Sequence, residues 1–308
     1  MLFFKKIKNI LITGPLACAI IVSCMAFFVF EGVYAESFFR KKLVWVKEKI
    51  IFTDTFDKTV TEKNTVQTVT EAKEEKPSPE ELVIKPVDDP ENMKLIFPKD
   101  ENMYTTVTKD YFDDALFIGD SRTISLEIYG DWKNATYYTK QGISVWEILE
   151  EDVAKLDDGT TTTLEVALKQ KEFKKIFIML GVNELATGTS ESFLEQYKKV
   201  VDTVRELQPE AVIFIQSIIH VSKEKSDAEE FIKNPTINER NIKLFSLVDN
   251  EKIFFLDANE VLDDEMGTLT KEYTFDGVHL TADYLYIYKE YLLNHGLKIL
   301  LPEEITEQ

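Results

Sequence analysis

Ala115-Leu116-Phe117-Ile118-Gly119-Asp120-Ser121-Arg122-Thr123 is the stretch on which the fold of this chain turns. The apolar run Ala115 to Ile118 has the length of a buried strand and stops at a glycine. Asp120-Ser121 then opens a helix-compatible segment, Ser121–Tyr129. In an open α/β sheet such a junction lies at the carboxyl edge of the strand, where ligands bind. At the head of a helix, Ser121 would carry a hydroxyl facing the crevice and an N–H that no helical carbonyl takes. Helix capping by Asp120 or Ser121 accounts for the stretch equally well when it is taken alone. The rest of the chain separates the two readings.

Downstream the pattern alternates. Strand candidates are Ala115–Ile118, Ala135–Thr139, Lys175–Leu180, Ala211–Gln216 and Lys252–Leu256. Between them the helix candidates are Ser121–Tyr129, Val145–Leu149, Leu164–Gln170, Glu191–Leu207 and Ile237–Val248. A last helix has Thr281 as N-cap, Asp283 in its first turn and Gly296 as its stop after His295. Its apolar stripe is Tyr284, Ile287, Tyr288, Tyr291 and Leu292. Such alternation predicts an α/β fold: a mostly parallel, five-stranded sheet with helices on both faces, in one domain over residues 101–308.

Upstream lies a different kind of sequence. Ile10–Phe30 is 21 residues without a charge, enough for a helix spanning about 30 Å of hydrocarbon. Lys5, Lys6 and Lys8 precede it, which keeps the N-terminus in the cytoplasm and exports the remainder. Residues 1–35 are therefore a transmembrane anchor, or a signal segment cleaved after Val33-Tyr34-Ala35 with secretion of the body. The length of the apolar run favours the anchor. Phe38–Phe52, with its aromatics and Arg40, Lys41, Lys42, Lys47 and Lys49, reads as an amphipathic stretch at the membrane surface. Thr53 to Pro90 is rich in Thr, Glu, Lys and Pro and reads as a disordered tether within a linker, residues 36–100. Docking of Leu95-Ile96-Phe97 on the domain is the alternative for its end.

Composition removes several classes. A net charge of −19 argues against nucleic acid as a partner. The two cysteines, Cys18 and Cys24, both sit in the N-terminal apolar run, which leaves the body without a disulfide or thiolate site. Of the three histidines, His220, His279 and His295, none stands in an HExxH spacing.

Each strand is followed by residues that carry chemistry: Ser121 after the first, Gly142 after the second, Gly181-Val182-Asn183-Glu184 after the third, Ser217 to His220 after the fourth, Asp276-Gly277-Val278-His279 after the fifth. All fall at one edge of the sheet, as an active site in this architecture requires. A serine hydroxyl needs a base, and an imidazole oriented by a carboxylate supplies one. Asp276 and His279 have a spacing that lets the carboxylate reach one ring nitrogen while the other faces Ser121. The N–H of Ser121, the N–H of Gly142 and the amide of Asn183 are candidate donors for an oxyanion.

Gly119-Asp120-Ser121, Gly142, Gly181-Val182-Asn183 and Asp276-x-x-His279, in that order, resemble the SGNH hydrolase family, also called GDSL esterases/lipases. The resemblance covers about residues 111 to 295. It implies a three-layer α/β/α, flavodoxin-like fold and Ser-His-Asp acyl chemistry without a metal or organic cofactor. Ser121, His279 and Asp276 take the catalytic places, and Ser121, Gly142 and Asn183 those of the oxyanion hole. Arg122 stands where the usual motif has Leu, and Glu184 where the third block often has Asp. Asp120, Arg122, Glu184 and His220 are candidate substrate-binding residues. For Arg122 the alternative is a solvated helix-face arginine, and for His220 a structural histidine in its loop. Val221 to Asn234, rich in Lys, Glu and Asp, reads as a mobile loop or short helix over the site, a candidate lid and specificity element. The function implied is a membrane-tethered or secreted esterase acting on O-acyl, above all O-acetyl, esters of small molecules or envelope glycans. Alternatives are an acyltransferase with the same residues, or a non-catalytic glycan-binding module.

Overall fold

The computed structural model describes residues 93–301. The anchor or signal segment, the stretch Phe38–Phe52 and the tether to Pro90 lie outside the described residues. Among the described residues, no helix is long and apolar enough to cross a membrane.

The strands are β1 (Tyr104–Thr105), β2 (Ala115–Gly119), β3 (Thr136–Thr139), β4 (Asp152–Lys155), β5 (Thr161–Thr163), β6 (Lys175–Met179), β7 (Val212–Gln216), β8 (Ile253–Leu256) and β9 (Gly296–Leu297). The α-helices are α1 (Ser121–Tyr129), α2 (Leu164–Leu168), α3 (Ser190–Leu207), α4 (Lys223–Ala228), α5 (Asn234–Phe245), α6 (Asn259–Leu262) and α7 (Leu285–Leu293). β2 lies in the interior of the main sheet, every residue of it buried. It pairs in parallel with β3 on one side and β6 on the other, and β7 and β8 continue the parallel set.

The expected sheet of five strands is corrected to seven, in the order β5-β4-β3-β2-β6-β7-β8. The additional pair, β4 and β5, is antiparallel to its neighbours at one edge. Asp152-Val153-Ala154-Lys155 and Thr161–Thr163 lack the continuous apolar run of a two-sided buried strand. β5 is the edge strand, with no buried residue, and β4, though paired on both sides, buries only Val153 and Ala154, so neither needs a two-sided apolar run.

Side chains alternate across the parallel strands, as period two demands. Leu116, Ile118, Ile176, Ile178, Ile213 and Ile215 share one core with residues of α2, α3 and α5. Ala115, Phe117, Phe177, Met179, Phe214 and Phe254 share the other with α1, α6 and α7. On that second face five rings form a row across five strands. Tyr137 and Phe117 lie 5.3 Å apart, Phe117 and Phe177 4.7 Å, Phe177 and Phe214 4.5 Å, and Phe214 and Phe254 6.1 Å. In-register parallel pairing places the rings opposite one another, and each such contact adds about 0.5–1.5 kcal/mol beyond the burial of its area.

The helices follow from local signals. Thr189 and Ser192 form a reciprocal capping box at the start of α3, satisfying donors that no helical carbonyl reaches. Phe193, Tyr197, Val200, Val201 and Val204 then give α3 a buried stripe at helical spacing. Three expectations differ in detail. Val145–Leu149 forms successive turns rather than a helix, though Val145 and Ile148 are buried. α7 is regular only from Leu285, after turns beginning at Thr281. Gly296 does not stop that helix; it pairs with Thr105 in the β1–β9 ribbon, close against Val107.

The linker expected up to residue 100 ends earlier. Leu95 and Phe97 are only 7% and 6% exposed, and the Phe97 ring lies 4.8 Å from Phe255 and 5.3 Å from Phe245. Docking of this stretch, the alternative noted above, is what the structure has.

The connections place a crevice. α1 leads from β2 to β3 over one face, whereas α3 leads from β6 to β7 over the other, on the opposite side of β2. The carboxyl ends of β2 and β6 therefore splay their loops apart, which is where ligands bind in open α/β sheets. Gly119 closes β2 there in a tight place. A Cβ on it would overlap Thr123 Oγ1 and come 2.8 Å from the carbonyl oxygen of Met179 on the neighbouring strand. Gly119→Ala is expected to lower stability by about 1–3 kcal/mol, the usual cost of overpacking. A chemical-denaturation midpoint equal to wild type would contradict this.

Candidate active site

Ser121 is the first residue of α1. Asp120 precedes it as N-cap, with Oδ1 accepting from the Arg122 N–H at 2.9 Å. Capping engages Asp120 Oδ1, and β2 fixes the backbone before it, so Ser121 sits on a junction held from both sides. Its Oγ lies 2.8 Å from His279 Nε2.

His279 belongs to a loop rather than to a regular element. A bridge between Thr274 and Leu280 closes that loop. Inside it Asp276 Oδ1 accepts from the N–H groups of Val278 and His279, both at 2.9 Å, and from Thr274 Oγ1 at 3.2 Å. Asp276 Oδ2 lies 2.7 Å from His279 Nδ1. Partial burial pushes the Asp276 carboxyl up, but the bonds from His279 and Val278 and the His279 ring outweigh it and hold it at about 2. At neutral pH Asp276 is thus a carboxylate, which only accepts. Nδ1 must then carry the ring hydrogen, and Nε2 presents its lone pair to the Ser121 hydroxyl.

Three donors were expected around Ser121. The N–H of Ser121 and the N–H of Gly142 donate to no other described residue. Gly142 follows β3 with φ at +74°, a left-handed conformation that glycine adopts without a Cβ penalty. Asn183 follows β6 and is exposed. Its Nδ2 donates to the carbonyl of Ile143 at 2.9 Å, which leaves the second N–H of that amide for a ligand. Asn183 and Gly142 are thereby joined across one residue of the Gly142 loop.

The four candidate substrate-binding residues require correction, because all are buried. Asp120 is the cap just described. Arg122 is only 5% exposed, so it is no solvated helix-face arginine; its Nη1 donates to the carbonyl of Ile219 at 2.7 Å. Glu184 accepts from the N–H of Val145 and so clamps the same loop that Asn183 holds. Burial pushes Glu184 up to about 7, against the bond from Val145. His220 is enclosed: Nδ1 lies 2.8 Å from Asp263 Oδ2 and Nε2 2.9 Å from Asn238 Oδ1. It is a structural histidine, the alternative weighed for it. The expected lid, Val221 to Asn234, is tied down. Asn234 bonds both the N–H and the carbonyl of Val221, and Ser222 donates to Gly277.

The His220 pair carries a pH dependence. Burial pulls the imidazole down, but Asp263 and Asn238 outweigh it, and the pKa lies above its ordinary 6.5. The native state therefore holds this proton more tightly than the unfolded chain. Its stabilisation is complete below pH 6.5 and is lost as pH rises through the folded-state pKa. Melting temperature is expected to fall between about pH 6 and about pH 9. In His220→Gln, which is less stable at the acid end, part of that slope should be gone. An unchanged slope would assign it to other groups.

No curated protein matches the chain. Three of the solved structures it resembles are a GDSL-like lipase from Bacteroides thetaiotaomicron, a carbohydrate esterase family 3 protein from Talaromyces cellulolyticus and a carbohydrate acetylesterase family member from Sinorhizobium meliloti. For the first, identity is 14% and TM-score 0.45, over 62% of this chain and 91% of that one. For the second they are 13% and 0.39, over 58% and 93%. For the third they are 16% and 0.38, over 59% and 93%. The model of the GDSL-like Lipase/Acylhydrolase family matches residues 117–283, a span running from β2 through the Asp276–His279 loop. The chain belongs to the GDSL-like lipase/acylhydrolase family and is a serine hydrolase acting on ester bonds.

Proposed function

We propose that this chain is an extracytoplasmic esterase that removes O-acyl groups, above all O-acetyl, from envelope or extracellular glycans through Ser121, His279 and Asp276. The observation that carries the catalytic part is the relay of 2.8 Å from Ser121 Oγ to His279 Nε2 and 2.7 Å from His279 Nδ1 to Asp276 Oδ2.

The steps follow from the site. Ser121 Oγ attacks the ester carbonyl as Nε2 takes its proton. The imidazolium that results is stabilised by the Asp276 carboxylate. The carbonyl oxygen, now an oxyanion, receives the N–H groups of Ser121 and Gly142 and the second N–H of the Asn183 amide. Such donors act because they are fixed before the charge develops. His279 then returns the proton to the departing alcohol, leaving acyl-Ser121. Water, deprotonated by the same Nε2, releases the acid and restores the serine.

Location and substrate class rest on the sequence. Lys5, Lys6 and Lys8 ahead of Ile10–Phe30 support export of the body, with residues 1–35 as anchor, or as a cleaved signal, and Thr53 to about Pro90 as tether. A body held outside the cytoplasmic membrane meets acylated glycans. The body, residues 101–308, carries no long apolar run that would suit a lipid tail, which favours a short acyl group.

The test uses the full chain on an acetylated envelope glycan, with an unacetylated oligosaccharide present as acceptor. Release of acetate into water, absent from Ser121→Ala, supports the esterase. Acetyl appearing on the added sugar supports the transferase. Binding of the glycan without turnover supports the non-catalytic module. Protease treatment of intact cells tests location: a body that is protected there lies inside the membrane, contrary to the proposal.

A further inference from the structure

Between β7 and α4 the chain runs through six consecutive residues, Ser217 to Ser222, that are all buried and belong to no helix or strand. Backbone polar groups in such a place need partners. Much of the supply comes from asparagine side chains. Asn241 bonds both the N–H and the carbonyl of Ile218. Asn234 does the same for Val221. Asn259 Oδ1 accepts from the His220 N–H. The segment is thus a rigid irregular strut, and two attachments along it matter for the chemistry.

Near its middle, Arg122 Nη1 donates to the carbonyl of Ile219 at 2.7 Å. Arg122 is the residue next to Ser121 and is buried at the head of α1, where Ser121 is half-buried. At its far end the Ser222 N–H donates to the carbonyl of Gly277 at 2.8 Å. Gly277 sits between Asp276 and His279. Nucleophile and base come from elements far apart in sequence, yet one continuous path joins them: Arg122 to Ile219, along the strut to Ser222, and across to Gly277. Burial pulls the guanidinium down to about 10, with Asp120 and Asp276 acting the other way. It remains a cation at neutral pH, and a charged donor makes the stronger kind of hydrogen bond.

We propose that Arg122 is a positioning residue for the hydrolase reaction: it fastens the nucleophile's helix to the Ser217–Ser222 strut and so fixes the separation of Ser121 Oγ from His279 Nε2. The inference rests on the roles given above to Ser121 and His279. It gives the departure from leucine at this position a function other than contact with substrate. Arg122 touches neither the reacting ester nor the imidazole, so its loss should change the rate of bond-making and leave binding alone.

The experiment uses the full chain as wild type, Arg122→Met, Ser222→Pro, Ser222→Ala and Ser121→Ala. Methionine keeps an apolar stem and removes the donor to Ile219. Ser222 has φ at −59°, which proline adopts, so Ser222→Pro removes the strut's other attachment by deleting its N–H. It also removes the Oγ that accepts from the Lys225 N–H at the head of α4. Ser222→Ala, which loses that cap but keeps the N–H to Gly277, is the control and should retain wild-type kcat. Four quantities are read: kcat and KM on an acetyl ester, thermal melting, and the rate at which a fluorophosphonate labels Ser121. For Arg122→Met, kcat is expected to fall about 30- to 100-fold with KM within about threefold, the scale of a misplacement near 1 Å. Labelling should slow in proportion, with a native melting transition retained. Ser222→Pro should show the same split. A folded Arg122→Met with kcat within about threefold of wild type overturns the proposal, as does a loss that appears only in KM. Should Arg122→Met not fold, Ser222→Pro decides by the same criteria. Wild-type turnover in Ser121→Ala would instead overturn the roles of Ser121 and His279, whatever Arg122→Met does.

Discussion

Ser121→Ala is expected to lower kcat on an acetyl ester by roughly 10⁶-fold, as removal of the nucleophile does where a serine relay acts as a unit. The hydroxyl is the only atom lost, and its partner is His279 Nε2. The backbone N–H of residue 121 stays, as do Gly142 and Asn183, so the oxyanion donors survive the change. A residual acceleration of about 10³–10⁴ over water should therefore remain. Stability should hardly move, because the helix is capped by Asp120 and not by the serine. The decisive comparison is kcat beside the melting temperature. A fall of less than about 100-fold in a folded Ser121→Ala would mean that water is delivered to the ester directly, with His279 as its base. The acyl-enzyme would then have no part in the reaction.

Much of this site was legible before any coordinates, and the reason is the topology. Parallel strands place the residue after each one at the same edge, so Ser121, Gly142, Asn183 and the Asp276–His279 loop could be assigned to one crevice from order alone. The apolar runs of β2, β6, β7 and β8 are buried on two faces and cannot be mistaken for amphipathic strands. β4 and β5 could not be read in that way, since Thr161–Thr163 carries no apolar pattern and is held by pairing. Side chains that act through backbone were also invisible. In the sequence Arg122 and Glu184 read as candidate substrate-binding residues, with a solvated helix face as the alternative for Arg122, whereas burial makes each serve a single backbone group. One signal did lie in the sequence. Asn234, Asn238 and Asn241 fall at i, i+4 and i+7, one face of α5, where an apolar stripe would be normal. Amides on a buried face predict irregular backbone opposite them, and the Ser217–Ser222 strut is that backbone.

Asp276→Asn is expected to lower kcat by roughly 10⁴-fold, the effect of placing the relay's imidazole in the wrong tautomer. The geometry around Asp276 says why the change cannot be absorbed. Oδ1 accepts from two backbone N–H groups and from Thr274 Oγ1. In asparagine the carbonyl oxygen must take that place, because an NH₂ group there would face donors. The amide nitrogen is then forced to the position of Oδ2, against His279 Nδ1. Two donors cannot meet, so Nδ1 gives up its hydrogen and Nε2 acquires it. Nε2 now donates toward Ser121 Oγ and has no lone pair with which to take the serine proton. The bonds that hold Asp276 ionised down to about pH 2 are thus the bonds that forbid the amide from turning over. A consequence separates this account from simple loss of charge. Asp276→Ala, lacking the misdirected NH₂, should be less damaged than Asp276→Asn, since water can accept from Nδ1 in its place. Single-turnover rates for the two folded variants make the comparison. If the alanine variant is the slower of the two, orientation of the tautomer is not what Asp276 contributes, and stabilisation of the imidazolium by its charge is.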